Sequence, residues 1–386
     1  MAVPLNQAIR VGAYVLKQHL SGRKRYPLVL MLEPLFRCNL ACAGCGKIDY
    51  PAAILNQRLS VADCLEAVDE CGAPVVVIAG GEPLLHKEID QVVDGAIARK
   101  KFVIVCTNAL LLEKKMHLFK PGPYFTWSVH LDGSKAEHDA SVCQDGVYDR
   151  AVAAIRKAKA AGFRVIINAT LFDTADPGKV AAFFDEAMAL GIDGISVSPG
   201  YAYERAPDQA HFLNRKRTKE LFRGIFARQG KGGGKRKWAF NQSSMFLDFL
   251  AGNQSFHCTP WGNPTRTYFG WQRPCYLLGE GYAKSFKELM ETTDWDRYGT
   301  GNYEKCADCM VHSGYEATAV TETIRRPWRA LAQSLRGIRT EGPMAPEIPL
   351  DRQRPAEYVF SRHVEQAMAE IAARPRAEAE AAEAAE

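Results

Sequence analysis

The stretch PLVLMLEPLFRCNLACAGC, residues 27–45, joins an apolar run to three closely spaced cysteines. Residues 27–32 are short and apolar enough to form a buried β-strand. Cys38, Cys42 and Cys45 follow within one loop, at spacings of four and three residues. The stretch therefore predicts a strand that delivers three thiols into one loop.

Three cysteines this close together indicate a metal-binding loop. Thiolates are soft ligands that suit zinc and iron–sulfur clusters. Structural zinc is closed by four ligands, whereas this loop offers three, and the next cysteine, Cys64, falls in a predicted helix. Three thiolates on a cubane cluster leave one iron open to a substrate. Two alternatives stay open here: three unrelated cysteines, or a zinc site completed by a distant group of cysteines.

Strand-like runs alternate with helix-like runs from residue 27 to about 200. The predicted strands lie at 27–32, 75–80, 101–108, 125–133, 163–171 and 194–199. The predicted helices lie at 60–72, 88–100, 148–162 and 179–191. This alternation predicts a parallel sheet, and no strand carries the GxGxxG fingerprint of a dinucleotide fold. We therefore predict an α/β fold, a partial (β/α)6 TIM-type barrel with its active site at the carboxyl ends of the strands.

The overall composition excludes several classes of protein. Eleven cysteines in a chain without a signal-peptide layout indicate metal binding in the cytoplasm, where structural disulfides are rare. Apolar residues make up 47% of the chain, yet no stretch approaches the roughly 20 apolar residues of a membrane-spanning helix. A formal net charge of +5 is too small to indicate nucleic-acid binding. We expect a cytoplasmic protein without a nucleic-acid partner.

Changes in composition divide the chain into four predicted parts. Residues 1–26 form a basic amphipathic helix and linker, and residues 27–225 form the partial barrel. Residues 226–335 form a small C-terminal domain that is rich in cysteine and aromatic residues and contains the basic stretch KGGGKRK. Within this domain, residues 238–320 lack clear periodicity, so we expect them to have little core of their own and to need a staple. Residues 336–386 are a Pro-rich segment followed by a low-complexity tail.

Two basic amphipathic segments could contact either a membrane or the barrel itself. The N-terminal helix alternates apolar residues with Arg10 and Lys17 before a basic cluster that ends at Arg25. ETIRRPWRAL, residues 322–331, is similar in its mixture of arginine and apolar residues. A basic amphipathic helix can lie on an anionic membrane, or its apolar face can dock on the underside of the barrel. Peripheral contact with the inner face of the membrane is one expectation, and docking is the other.

Polar motifs stand at the ends of two other predicted strands. The second strand runs into GGEP, Gly80–Pro83, and the fourth ends in SVHLDG, which contains Ser128 and Asp132. Together with CxxxCxxC after the first strand, these motifs resemble those of the radical S-adenosylmethionine (SAM) enzymes over residues 27 to about 200. The resemblance implies a 4Fe–4S cluster on the cysteine loop, with SAM on its open iron. An electron from the cluster would then cleave SAM to a 5′-deoxyadenosyl radical.

The resemblance also assigns the candidate site residues. The ligands of the SAM cluster would be Cys38, Cys42 and Cys45. The SAM contacts would come from Gly80, Gly81, Glu82, Asn108, Ser128, Asp132 and Asn168. Gly44 is a departure, because family members usually carry there an aromatic residue that packs by the adenine. We therefore expect more room beside the adenosyl group.

A second group of cysteines comprises Cys258, Cys275, Cys306 and Cys309. Their pattern is a cysteine, a spacer, a glycine with a cysteine five residues later, and a final CxxC. This pattern resembles the auxiliary-cluster module of some radical SAM enzymes. Four thiolates also suit structural zinc, and buried cysteines without a metal are common. The expectation is a second metal centre, an auxiliary cluster or zinc, with unligated thiols as the alternative.

The chain up to about residue 330, including the aromatic-rich WGNPTRTYFGWQRPC, resembles the hopanoid-biosynthesis radical SAM proteins, the adenosylhopane synthases. That family forms a C–C bond between the 5′-deoxyadenosyl group and the terminal alkene of a hopene, a triterpene such as diploptene. The resemblance implies a hopene substrate and an electron donor such as flavodoxin or ferredoxin. Net addition to an alkene also requires a hydrogen atom. Cys106, near the end of the third strand, is the candidate catalytic donor.

Two other functions stay open on the sequence. A radical SAM enzyme that modifies a peptide or another substrate would often carry an auxiliary cluster, and it would need a peptide-binding edge. A non-enzymatic metal-binding interaction protein belongs to a different class. Such a protein would not need GGEP and SVHLDG at the ends of strands.

Overall fold

The computed structural model describes residues 3–201, 206, 210–229, 238–356 and 360–373. The strands of these residues are β1 Val29–Leu32, β2 Val75–Ile78, β3 Phe102–Thr107, β4 Phe125–His130, β5 Val165–Leu171, β6 Gly194–Pro199, β7 Thr265–Thr267, β8 Gly270–Pro274 and β9 Gly279–Ala283. They form one sheet in the order β6-β5-β4-β3-β2-β1-β7-β8-β9.

The α-helices of the same residues surround this sheet. They are α1 Leu5–Leu20, α2 Ala52–Leu55, α3 Val61–Cys71, α4 Ile89–Ala98, α5 Leu112–Lys115, α6 Lys135–Ser141, α7 Val147–Ala160, α8 Pro177–Ala189, α9 Arg215–Gln229, α10 Ser244–Leu250, α11 Phe286–Thr292, α12 His312–Arg325, α13 Pro327–Arg336 and α14 Phe360–Ala373. No helix of the described residues is long and apolar enough to cross a membrane.

The first six strands build the partial barrel. They pair in chain order, and every pair is parallel, as in the register of Val29 with Val75 and of Val75 with Phe102. Helices connect successive strands, because parallel neighbours need a crossover. The prediction of an α/β fold with a partial (β/α)6 barrel is confirmed. Since the carboxyl ends of parallel strands share one rim, the loops that follow β1, β2 and β4 meet there.

The C-terminal strands extend this sheet beyond β1. Strand β7 pairs with β1 in parallel, and β8 and β9 continue in antiparallel fashion. Trp271 on β8 is fully buried and donates its indole N–H to Glu70 on α3 at 2.9 Å. Phe249 and Tyr315 belong to the same continuous core as the barrel strands. This packing agrees with the expectation that residues 238–320 have little core of their own, because their aromatic side chains join the core of the barrel.

The two ends of the chain bear on other predictions. Helix α1 lies within the predicted N-terminal part, residues 1–26. The KGGGKRK stretch and nearly all of the low-complexity tail lie outside the described residues. The boundaries of the four predicted parts stay predictions.

Candidate active site

One large cavity inside the partial barrel gathers the residues that the sequence singles out. Its volume is about 620 Å³. The predicted residues that line it are Cys38, Cys42, Cys45, Gly80, Gly81, Glu82, Cys106, Asn108, Ser128, Asp132 and Asn168. The structure therefore brings the first cysteine group, the predicted SAM contacts and the candidate hydrogen donor to the wall of the same space.

The three thiols of the first group converge in the loop after β1. The N–H of Cys45 donates to the carbonyl of Cys42 at 3.1 Å, and that of Ala43 donates to the carbonyl of Ser141 at 3.0 Å. Burial raises the pKa of Cys42, and the charges of the other two cysteines raise it further. Burial likewise raises the pKa of Cys38 to about 11. The three cysteines line one cavity, and a bound metal would favour the thiolate form of their side chains.

The donor set of this loop fits an iron–sulfur cluster. Within the described ranges, no three Cys, His, Asp or Glu side chains are close enough together to hold a single metal ion. In a cubane each cysteine binds a different iron, which spaces the thiolates more widely than a single ion does. Three soft thiolates beside a cavity leave space for one further ligand, as a 4Fe–4S cluster with one open iron requires.

Two glycines let the turn after β2 pack against the cysteine loop. Gly80 has a φ of +111°, a conformation that residues with a side chain rarely adopt. A Cβ on Gly81 would lie 2.0 Å from the carbonyl oxygen of Arg37. The N–H of Gly81 donates to Leu35 at 3.0 Å, and that of Glu82 donates to Arg37 at 2.9 Å. The glycines thus join this turn to the segment that leads into the first cysteine.

Glu82 is buried beside the cavity, where three protein donors hold its carboxylate. The donors are the Thr107 hydroxyl at 2.9 Å and the backbone N–H groups of Leu84 at 3.0 Å and Asn108 at 2.9 Å. Burial raises the pKa of Glu82 to about 6, although these hydrogen bonds favour the charged form. The Asn108 amide in turn donates to Asn39 at 2.8 Å, beside the first cysteine. Contact of Glu82 with the SAM amino group stays a prediction.

Strand β4 contains Ser128 and ends at His130, and Asp132 follows two residues later. Asp132 accepts hydrogen bonds from His130 Nε2, the Ser141 hydroxyl and the Thr170 N–H, each at 2.8 Å. Burial alone would raise the pKa of Asp132, but the charge and hydrogen bond of His130 hold it below its usual value. The same pair raises the pKa of His130 against the effect of burial. Asp132 is thus an ionised wall residue, and its contact with the ribose stays a prediction.

Cys106 lies opposite Ser128 in the register of β3 and β4. Burial raises the pKa of its thiol to about 12, even though a hydrogen bond with Ser128 lowers it. The thiol therefore keeps its hydrogen at neutral pH. An S–H group stands in the cavity wall next to a predicted ribose contact.

An aromatic ring from a distant segment lies against Gly44. A Cβ on Gly44 would stand 2.9 Å from Cζ of Phe172, which follows β5 and lines the cavity. Gly200 packs on the same ring, where a Cβ would come within 2.7 Å. The expectation of extra room at Gly44 is therefore wrong, because Phe172 fills the place of a side chain at that position. The sequence around the cysteines contains no sign of this contact.

The cysteines of the second group also come together, around a much smaller void. Cys258, Cys275, Cys306 and Cys309 line a space of about 20 Å³. Burial raises the pKa of Cys258, and the charges of the other three raise it further. The donor set of four thiols around one void fits a closed cluster, in which each thiolate binds a different iron.

Two side chains hold the backbone of this second group. Gln272 on β8 donates to the carbonyl of Cys275 at 3.1 Å, and Arg215 on α9 donates to that of Cys309 at 3.1 Å. The residues that line both the void and the large cavity are Tyr201, Leu277 and Ser313. The second thiol group therefore lies one layer of side chains away from the large cavity.

Sequence reasoning missed two polar residues of the cavity on α12. Glu316 lines the cavity, and burial raises its pKa to about 7. His312, one turn earlier, lies 2.8 Å from the Ser198 hydroxyl through Nδ1, and burial lowers its pKa to about 4. Their helix lies outside the predicted barrel, so local pattern could not indicate that it closes the barrel interior.

Comparison with known proteins identifies the family. Residues 32–187 match the profile of the radical SAM superfamily, and residues 195–333 match that of a domain of unknown function, DUF3463. GTP 3′,8-cyclase from Listeria welshimeri is 27% identical over 184 residues, 43% of this chain and 55% of that protein. Mycofactocin maturase MftC from Mycolicibacterium smegmatis is 31% identical over 145 residues, 36% of each chain. The chain thus spans about half or less of the length of these curated relatives.

The fold is shared with a solved structure of Streptococcus suis SuiB bound to S-adenosylmethionine. The TM-score is 0.58 at 17% identity, over 79% of this chain and 75% of that chain. SuiB is also known in a structure bound to precursor peptide SuiA, with a TM-score of 0.57.

Fold and site together define the class of protein: a partial α/β barrel with a three-thiol loop and a GGE turn on one rim. Residues 32–187 form a radical SAM domain. A domain of this kind implies a 4Fe–4S cluster and S-adenosylmethionine as cofactors.

Proposed function

We propose that the chain is a radical SAM enzyme that adds the 5′-deoxyadenosyl group to the terminal alkene of a large apolar substrate, a hopene such as diploptene. One observation carries the proposal. The cavity that holds the predicted SAM contacts continues into a space walled largely by apolar residues. These residues include Met31, Val77, Ile104 and Ile166 on the barrel strands and Val320 on α12.

The shape of the cavity supports an apolar substrate of considerable size. Its volume of about 620 Å³ falls within the range of sites for drug-sized ligands. Polar groups lie at the carboxyl ends of the strands, at Glu82, Asn108 and Asp132, and on α12 at Glu316, while the amino ends of the strands contribute apolar residues such as Val29 and Val75. A substrate with one reactive end and an extended hydrocarbon body matches this division, because apolar walls favour apolar surface.

The protein's own residues have distinct tasks in this reaction. Cys38, Cys42 and Cys45 would hold the 4Fe–4S cluster, which together with SAM supplies a 5′-deoxyadenosyl radical by one-electron cleavage of the sulfonium. Glu82 orders the turn after β2 through its three hydrogen bonds. Phe172 offers an aromatic face beside Gly44, where the adenine contact of the family is expected.

Cys106 completes the addition by donating a hydrogen atom. A C–C bond to the terminal carbon uses one electron of the alkene π bond and leaves the other as a radical on the neighbouring carbon. Transfer of hydrogen from the Cys106 thiol forms the new C–H bond and leaves a thiyl radical. One electron and one proton then restore the thiol, and an external one-electron donor such as flavodoxin or ferredoxin supplies the electron.

The second cysteine group is part of the proposal as a second metal centre, an auxiliary cluster or zinc. The convergence of Cys258, Cys275, Cys306 and Cys309 around one small void supports it. Tyr201, Leu277 and Ser313 lie between this void and the large cavity. A metal centre in the void would therefore lie close to the substrate without touching it.

A peptide-modifying reaction is the second candidate. Similarity to mycofactocin maturase MftC and the fold shared with SuiB, which is known bound to precursor peptide SuiA, favour it. The names of the relatives refer to GTP, mycofactocin and haem chemistry, not to triterpenes. The apolar walls of the cavity favour the hopene substrate over a peptide, whose backbone amides need polar partners.

Anaerobic reconstitution tests the two candidates directly. With iron, sulfide, SAM and dithionite, diploptene should give an adenosylhopane detectable by mass spectrometry. Release of free 5′-deoxyadenosine without any adduct would contradict the addition reaction and favour hydrogen abstraction from another substrate.

The Cys106→Ala variant tests the hydrogen donor. Because radical formation does not need this thiol, SAM cleavage should continue, while saturated adduct should fall by about tenfold or more. The pKa of about 12 keeps the wild-type thiol protonated below that pH, so adduct yield should not fall between pH 7 and 9 on account of Cys106. Cys64→Ala, which removes a buried thiol outside the cavity, is the control. An unchanged adduct yield in Cys106→Ala would rule out the thiol donor.

A further inference from the structure

Exposed apolar side chains concentrate on two helices. Of the ten large apolar residues exposed in the described part of the chain, seven lie on α1 and α13. They are Leu5, Ile9, Leu16 and Leu20 on α1 and Trp328, Leu331 and Leu335 on α13. Their side chains are between 49% and 81% exposed. Such a concentration marks an interaction surface, because single exposed apolar residues are normally scattered.

Each helix carries its exposed residues as one stripe. On α1 the apolar residues recur at spacings of four, seven and four, and on α13 at three and four, so both sets follow the helical repeat. The other side of α1 is packed against the protein, where Val15 and Gln18 are buried. The N-terminal helix therefore docks on the barrel by one face and still presents an apolar stripe to its surroundings.

Positive charge accompanies both stripes. Residues 1–32 contain five Lys or Arg and no Asp or Glu, and the same holds for residues 325–339. The whole chain has an excess of only five basic residues, so the remainder of the chain has an excess of five acidic ones. Apolar stripes flanked by basic residues match an anionic lipid surface, which offers both hydrocarbon and negative headgroups.

Helix α1 and helix α12, which directly precedes α13, border the cavity. Gln7, Ala8 and Val11 on α1 and Val320 and Ile324 on α12 line it. Ala8 is also exposed at the surface, so the cavity wall reaches the outside between these helices. Helix α13 begins directly after α12 ends.

This border lies at the end of the barrel away from the cysteine loop. Arg10 on α1 donates to the carbonyl of Lys100 at 3.4 Å and lies over the ring of Tyr124 at 5.4 Å. Lys100 lies two residues before β3 and Tyr124 directly precedes β4, so α1 lies at the amino ends of these strands. The cysteines follow the carboxyl end of β1.

We propose that the exposed stripes of α1 and α13 bind an anionic membrane surface and that the apolar substrate passes from the bilayer into the cavity between α1 and α12. The substrate's chemistry rests on the proposed function, whereas membrane binding does not. The arrangement admits the hydrocarbon body from one end of the barrel while SAM occupies the other end.

Vesicle binding tests the surface. Vesicles of phosphatidylcholine with phosphatidylglycerol, brominated on their acyl chains, should quench the fluorescence of Trp328, and Trp328→Phe should remove most of that quenching. The double variant Leu16→Glu, Leu335→Glu should lower binding by about tenfold or more, because charge replaces both stripes. Leu350→Glu, at a residue 45% exposed elsewhere in the chain, is the matched control.

Three results would contradict the proposal that this surface binds a membrane. Quenching could be the same in Trp328→Phe as in the wild type. Pure phosphatidylcholine vesicles could bind as tightly as anionic ones in low salt. The double variant could leave vesicle binding intact but convert a dimer to a monomer in size-exclusion chromatography, which would assign the stripes to a second copy of the chain.

A tryptophan at the border tests the passage. Ala8→Trp should lower adduct formation from vesicle-borne diploptene by about tenfold, because the ring fills the gap. Ala13→Trp places the same ring on the exposed side of α1, outside the cavity lining, and should change little. Equal yields from the two variants would contradict the passage. Absence of adduct in the wild type, with anionic vesicle binding intact, would count against the proposed function and leave the membrane surface standing.

Discussion

The two cysteine groups share one chemistry but differ in the space around them. The three thiols of the first group face a cavity of about 620 Å³, whereas the four of the second enclose a void of about 20 Å³. Tyr315 and Tyr298 help to wall in the second group, and Tyr315 is fully buried. The group with only three thiols is thus the one that faces the large cavity. An open ligand position needs room for its occupant, while a closed set of four thiolates does not.

Removal of one thiol from the first group should have the largest effect. In Cys42→Ala the first cluster should be lost, and SAM cleavage should fall by about a thousandfold or more, about 4 kcal/mol in activation free energy. Iron per chain and 5′-deoxyadenosine release measure the two quantities. The secondary structure should stay intact, because the barrel core does not include this loop.

Cys143→Ala is the matched control for that variant. Cys143 is exposed, and it lies close enough to Cys42 for its charge to contribute to the raised pKa of Cys42. We expect full iron content and normal SAM cleavage. Loss of iron in Cys143→Ala would mean that a fourth protein thiol closes the first site, and the contrast between the two groups would disappear.

Removal of two thiols from the second group should have an intermediate effect. Cys306→Ala, Cys309→Ala should lose the second metal and about 3 kcal/mol of folding free energy, because a structural metal site contributes to folding. SAM cleavage should fall far less than in Cys42→Ala. Iron and zinc per chain and the thermal midpoint test this. Cys71→Ala, a buried thiol outside both groups, should keep its metal content, and unchanged metal in the double variant would show that the second group is unligated.

The exchange of an aromatic ring should have the smallest effect. Phe172→Ala should raise the KM for SAM by about tenfold, because the adenine would lose a stacking partner. Gly44→Phe alone should also be harmful, since a Cβ there stands 2.9 Å from the Phe172 ring. The two changes together should recover part of the loss. A double variant no better than Phe172→Ala would contradict the assignment of the two positions to one space.

The apolar runs predict the barrel strands closely. Residues 194–199 form β6 as predicted, where Ile195 and Val197 alternate with two serines in the period of a strand. The second strand is shorter than 75–80 and ends at Ile78, because Gly80 turns the chain towards the cysteine loop. Strand β7, with only three residues, carries too little pattern to be recognised, and its pairing with β1 depends on the rest of the sheet.

In the candidate site, too, local features could be predicted from the sequence and long-range contacts could not. The spacing of Cys38, Cys42 and Cys45 is a local property, so the sequence by itself determined that three thiols share one loop at a strand end. The parallel order of the strands then made it predictable that the GGE turn lies on the same rim.

Tertiary structure alone decided what surrounds these motifs. The ring of Phe172 beside Gly44, the carboxyl group of Glu316 inside the cavity and the access between α1 and α12 each join segments far apart in the chain. Such contacts depend on how complete side chains fill the space between elements, and no local spacing encodes them. The sequence determined the chemistry of the thiols, and packing decided that one group faces a large apolar chamber while the other is enclosed.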